Sequence, residues 1–183
     1  MRIKLSIFVI LSMMLLMGCS SETEPETETE AEVATESLDT ASIKALVNDY
    51  TIDKLDAKQA SITSTELIIE ENDNQKKVYQ LPEEEFFVSI APFKTETHEC
   101  DIHSLTGCQG ELVSESFDVE ITNASGDLVL DESKTTEANG FIDLWLPRND
   151  TYTVVITQDD KTTEAEISTF EGDKTCITTM QLQ

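Results

Sequence analysis

Basic residues are scarce in this 183-residue chain: 12 Lys and Arg stand against 37 Asp and Glu, for a net charge of −25. That shortage argues against DNA or RNA as a partner, because nucleic-acid affinity rests on a basic footprint. It also disfavours electrostatic attraction to anionic lipid, while a positively charged ligand such as a metal ion suits it. Hydrolase and NTPase chemistry has no handle, since GxSxG, HExxH and Walker-type phosphate loops are all missing. The apolar run at residues 7–17 falls short of the roughly 20 residues that span a bilayer as a helix. Sulfur and imidazole are rare as well. There are four cysteines and two histidines, and both histidines fall with two of the cysteines inside THECDIHSLTGC, residues 97–108.

What is present begins with a targeting segment. Arg2 and Lys4 precede the apolar run, and Leu16-Met17-Gly18-Cys19 has the form of a bacterial lipobox. Residues 1–18 are therefore expected to be a lipoprotein signal peptide, with Cys19 lipidated as the first mature residue. The mature protein would be anchored by lipid to the bacterial cell membrane or envelope, outside the cytoplasm. Residues 20–37 hold seven glutamates and no basic residue. With Cys19 they read as a disordered, self-repelling tether.

The expected fold class is α+β, mainly β, with a small N-terminal helix-plus-strands domain at 38–93 suited to dimerisation. Its helix carries Ile43, Leu46, Val47 and Tyr50 on one stripe, with Asp39 or Thr40 as N-cap. A second short helix is expected through IDKLDAKQA, then strands at TELIIE, KKVYQLP and EFFVSIAPF. Residues 94–183 hold the Cys/His segment and a C-terminal β-sandwich. In FDVEIT, Phe117, Val119 and Ile121 alternate with polar residues as in a half-buried strand. DLVLDE, FIDLWL, TYTVVIT and KTTEAEIST follow as further strands, and Asn139-Gly140 suits a type I′ hairpin turn. The run from NASG to TYTVVIT looks like the transthyretin-like modules of bacterial surface proteins, a likeness of fold rather than function.

Setting aside Cys19 leaves Cys100, Cys108 and Cys176, an odd number in an oxidising compartment. Thiolates suit Cu(I) and Zn(II), and imidazole serves both. With His98 or His103 as an additional ligand, the set fits trigonal Cu(I) or tetrahedral Cys₃His zinc. Two plainer accounts stand beside these. One is a structural disulfide Cys100–Cys108 with Cys176 as a small buried hydrophobe; the other makes both histidines ordinary hydrogen-bonding residues. Met180, four residues after Cys176, reads as strand packing before it reads as a thioether ligand.

The stretches APFKTETHECDIHSLTGCQGEL, ANGFIDLWLPR and ISTFEGDKTCITTMQL resemble the CueP family of extracytoplasmic bacterial copper-binding proteins, over about residue 40 to the end. The resemblance implies a two-domain homodimer that binds copper through Cys100, Cys108 and Cys176, with His98 and His103 alongside. It implies buffering, resistance or delivery of Cu(I), with reduction of Cu(II) as a family-level activity. On that view Cu(II) would oxidise two thiolates, giving a Cys100–Cys108 disulfide, and a reducing or copper-accepting extracytoplasmic protein would complete the cycle. The glutamate-rich tether and lipobox depart from freely periplasmic relatives. A thiol-disulfide oxidoreductase, and a structural surface sandwich stapled by Cys100–Cys108, are the alternatives.

Overall fold

The strand Glu85–Ile90 (β5) reads EFFVSI, a nearly unbroken apolar run rather than an alternation, and all of Phe86–Ile90 is buried. A strand of that kind needs cover on both faces. In the computed structural model, which describes residues 33–36 and 38–183, β5 is the middle strand of a three-stranded sheet. It pairs antiparallel with β9 (Ile142–Pro147) and parallel with β12 (Cys176–Ile177). The expected signal peptide, Cys19 and most of the expected tether lie outside the described residues.

One face of this sheet packs on a four-stranded sheet ordered β11-β10-β7-β8, from Lys161–Ser168, Thr151–Gln158, Ser116–Asn123 and Leu128–Thr135 respectively. Phe86, Val88 and Ile90 of β5 meet Phe117, Val119 and Ile121 of β7 and Tyr152, Val154 and Ile156 of β10 there. This is the expected sandwich, and β7 shows the expected alternation of buried and exposed residues. Burying each such side chain is worth about 1.5–3 kcal/mol. Met180 and Leu182 belong to the same core, so Met180 is packing.

The other face carries Phe87 and Trp145 into a second core with the helix α1 (Thr40–Thr51). Asp39 caps the helix, accepting from the Ser42 amide, and Ile43, Val47 and Tyr50 are buried while Leu46 is partly so. The second core is closed by a five-stranded sheet ordered β1-β4-β3-β2-β6. Its strands are Val33–Glu36, Lys76–Gln80, Glu66–Glu70, Gln59–Ile62 and His103–Ser104. Strands from either side of residue 93 thus share two of the three sheets. No helix among the described residues is long and apolar enough to cross a membrane.

Three local expectations are corrected. The second helix does not form. After the C-cap at Ile52 the chain turns through Asp53 at φ 56°, and the amides of Lys54 and Leu55 both bond to the Asp49 carbonyl before β2 begins. Val33–Glu36, inside the stretch read as tether, pairs in parallel with β4 and covers that strand's otherwise open edge. Asn139-Gly140 is not a hairpin turn, because β8 pairs with β7 while β9 pairs with β5. A type I′ turn needs positive φ at both central residues, and here only Gly140 has it, at +79°.

Gly140 answers a different constraint. It meets Gly110, whose amide bonds to the Asn139 carbonyl at 2.7 Å, and a Cβ on Gly140 would lie 2.7 Å from the Gly110 oxygen. Gly126 has a similar φ of +82° but open space around it. Gly126→Ala should therefore cost about 1 kcal/mol from backbone conformation alone. Gly140→Ala should cost at least about 2 kcal/mol, because the clash adds to it. Urea unfolding of the two variants checks this, and equal losses would show that the glycine contact is slack.

Candidate metal centre

The segment 97–108 is fixed at both ends and in the middle by backbone groups. At its start the Thr97 hydroxyl donates to the Thr178 carbonyl at 2.6 Å. Beyond its ends, the Glu111 carboxylate gathers the amides of Lys94 and Thr95 and the Thr95 hydroxyl. Those donors hold the Glu111 acid well down, at about 2. In the middle, the Asp101 carbonyl accepts the amides of Thr175 and Cys176 at 3.0 and 3.3 Å, which sets the loop beside β12. Thr175 is a buried junction. Its hydroxyl donates to the Ile62 carbonyl at 2.6 Å and accepts from the His103 amide at 3.0 Å. β6 itself pairs His103 with Ile62.

These bonds bring Cys100, Cys108 and Cys176 together with Phe141 and Ala91. Cys176 is fully buried; Cys100 and Cys108 are partly so. Cys100 and Cys176 form a disulfide, with Cα atoms 5.6 Å apart, and Cys108 is a free thiol. The staple considered from the sequence, Cys100–Cys108, is therefore not the one formed. Asp101's bonds to the amides of residues 175 and 176 place Cys100 against Cys176. Cys108 instead ends a tight turn in which its amide bonds to the Ser104 carbonyl and its sulfur accepts from the Ser104 amide. Its Sγ still lies 3.5 Å from that of Cys100. Burial pushes the Cys108 thiol up, partly opposed by the Ser104 amide.

The histidines differ sharply. His98 is exposed, at the side of an open groove of about 740 Å³ that also exposes Glu99, Cys100, Asp101 and Lys174. His103 is fully buried, and neither of its ring nitrogens has a hydrogen-bond partner among the described residues. The Phe141 ring lies 4.6 Å from the His103 ring and 6.3 Å from the His98 ring. Desolvation, then the nearby His98, holds His103 down at about 4, so it is a neutral donor at neutral pH. Two donor triads result, each with its ligand atoms within 4.8 Å of one another: His98, Cys100 and Cys108, and His103, Cys108 and Cys176. The donor set is soft, as a thiophilic ion requires.

Sequence reasoning named all five donors but missed Phe141, Thr175 and Glu111, which hold them. Nothing in FIDLWL distinguishes Phe141 from an ordinary strand residue. The partners of Thr175 and Glu111 are set by tertiary contacts alone.

The depressed His103 value has a consequence for stability. In the unfolded chain His103 titrates near 6.5, so between about 6.5 and 4 the unfolded state binds a proton that the folded state refuses. Metal-free protein should lose stability as pH falls through that window, by on the order of 3 kcal/mol in total. His103→Leu should show a flatter profile in urea titrations at pH 7, 6, 5 and 4, since the carboxylates contribute alike to both proteins. Parallel profiles would place the His103 proton elsewhere.

The model of the periplasmic copper-binding protein CueP matches residues 42–181. Among solved structures, the crystal structure of S.CueP is similar to this chain at 33% identity and a TM-score of 0.72, covering 77% of this chain and 88% of that one. No curated protein matches. The chain belongs to the CueP family of periplasmic copper-binding proteins.

Proposed function

We propose that this protein holds Cu(I) outside the cytoplasm through the thiolates of Cys100, Cys108 and Cys176, with the neutral imidazole of His103 beside them. The observation that carries this is the pair of orphaned nitrogens on a fully buried His103, next to a cluster of three sulfurs. An unpaired buried polar group costs about 1–3 kcal/mol. A metal bound at one nitrogen relieves that cost, and few other partners fit among sulfur and phenyl groups. Zinc is disfavoured by the family match to copper-binding proteins.

Binding by three thiolates requires the Cys100–Cys176 disulfide to be opened by two electrons, for which a protein dithiol is the natural donor. In reverse, two Cu(II) ions accept one electron each from two thiolates, giving two Cu(I) and one disulfide. The Cys100–Cys176 disulfide supports that pair for the step, over Cys100 and Cys108. Sustained Cu(II) reduction would therefore consume an external reductant. A lipid anchor on Cys19 is supported by the Leu16–Cys19 motif, and it would keep buffering or delivery at a membrane surface. A homodimer, and an extracytoplasmic protein that reduces the site or accepts its copper, rest on the family resemblance.

The test is anaerobic titration of the reduced full chain carrying Cys19→Ser against a chromophoric Cu(I) chelator. One tight equivalent per chain is expected. Cys108→Ser should weaken it at least 100-fold, and His103→Gln by roughly 10–100-fold. Unchanged affinity in Cys108→Ser would defeat the proposal. Supplied with a dithiol, the wild type should reduce Cu(II) beyond the capacity of its own thiols. A single burst would make it a holder of copper and no reductase.

A further inference from the structure

The two donor triads share Cys108 but differ in depth. His98 is exposed and faces the 740 Å³ groove together with the half-buried Cys100. His103 and Cys176 are fully buried, and the His103 ring packs on Phe87 and Phe141, so the two histidines differ in depth around the shared Cys108. An ion arriving through the groove meets His98 and Cys100 first, with the half-buried Cys108 sulfur 3.5 Å beyond that of Cys100. It has no direct approach to Cys176 or His103. Asp101 and Glu99 put negative charge at the same mouth, with Lys174 held against Asp101 in an ion pair.

We propose that His98 is an entry ligand that gives copper up, and that the site loads in two positions. This rests on the reading that the reduced chain holds Cu(I) through its thiolates. In the first position Cu(I) is bound by the His98 imidazole and the sulfurs of Cys100 and Cys108. In the second, the Cys176 sulfur replaces the His98 nitrogen while Cys100 and Cys108 stay bound, and His103 closes the inner side. The ion remains at least three-coordinate throughout. Each thiol that binds releases its proton to solvent, and no electron moves. Thiolate outranks imidazole as a donor to Cu(I), so the exchange runs inward. Each triad has its donor atoms within 4.8 Å of one another and both contain Cys108, so the ion passes from one to the other by ligand exchange about a sulfur it keeps. The two histidines thus divide the work: the exposed one governs how fast copper enters, and the buried one how tightly it stays.

The experiment uses the reduced full chain with Cys19→Ser, under anaerobic conditions, and Cu(I) presented as its complex with a bulky chromophoric chelator. Stopped-flow loading should slow at least about tenfold in His98→Ala, while the equilibrium affinity stays within about threefold of wild type. His103→Gln should show the opposite split, a weaker equilibrium affinity with an initial capture rate within about threefold. Loading of His98→Ala at the wild-type rate would overturn the proposal. So would a loss of affinity in His98→Ala as large as that in His103→Gln. A second measurement needs no variant. Cu(I) is diamagnetic, so in fully loaded protein with labelled histidine the His103 ring resonances should move and those of His98 should keep metal-free positions. Copper-shifted His98 resonances at full loading would make His98 a permanent ligand and sink the two-position scheme. If the wild type takes up no Cu(I) at all, the thiolate reading itself fails, and that outcome is distinct from a wild type that binds tightly but loads independently of His98.

Discussion

The parallel pairing of Cys176–Ile177 onto β5 is the contact on which the site depends. Parallel strands pair slightly less stably than antiparallel ones, and this pair is only two residues long. It holds because the residues on either side are tied down. The Ser89 amide bonds to the Thr175 carbonyl and the Ala91 amide to the Ile177 carbonyl, while Met180 and Leu182 are buried in the sandwich core. Cys176 is 76 residues from Cys100 in sequence, and the sandwich strands β7 to β11 lie between them. Joining ends that far apart, by a disulfide or by a shared metal ion, removes loop entropy from the unfolded chain worth on the order of 4 kcal/mol in the chain-entropy picture. Copper occupancy and folding are therefore linked: whatever binds only the assembled site stabilises the whole sandwich.

The three-stranded sheet makes this possible by having two different faces. In-register neighbours on paired strands share a face, so Ser89, Cys176 and Asp143 form one row, with Phe87 and Trp145 along the same side. That side receives the helix, β6 and the Cys/His loop. Asp143 accepts the hydroxyls of Ser89 and Thr51, which fastens the helix to the sheet that holds Cys176. The polar groups of this face are thus satisfied by hydroxyls and backbone amides. The His103 nitrogens differ: among the described residues they have no hydrogen-bond partner, and they stand beside the sulfurs of Cys108 and Cys176.

Much of this was legible in the sequence, for definite reasons. Alternation in FDVEIT, the strand TYTVVIT and the helical stripe of Ile43, Leu46, Val47 and Tyr50 are all set by neighbours in the chain, and all form as expected. The donors were legible because cysteine and histidine are so rare here. What escaped was set by distant neighbours. Asn139-Gly140 has hairpin chemistry, but Gly110 needs Gly140's bare Cα, and the chain passes between sheets instead. IDKLDAKQA has a helical spacing, yet β3 claims Gln59–Ile62 as a partner. The identity of the bonded cysteines depends on where Asp101 docks, a contact with no local signature.

The acidity of the chain now bears on the thiols as well as on the partners it excludes. A negative surface and a desolvated pocket both disfavour thiolate, and burial raises the Cys108 thiol accordingly. A cysteine protease or thioredoxin-like enzyme arranges the reverse, lowering its thiol to expose a ready nucleophile. Here burial favours the protonated Cys108 thiol, and a bound cation would shift that balance by stabilising the sulfur and displacing the proton. The same electrostatics that make Cys108 a poor nucleophile would be offset by a bound soft cation, whose charge stabilises the sulfur.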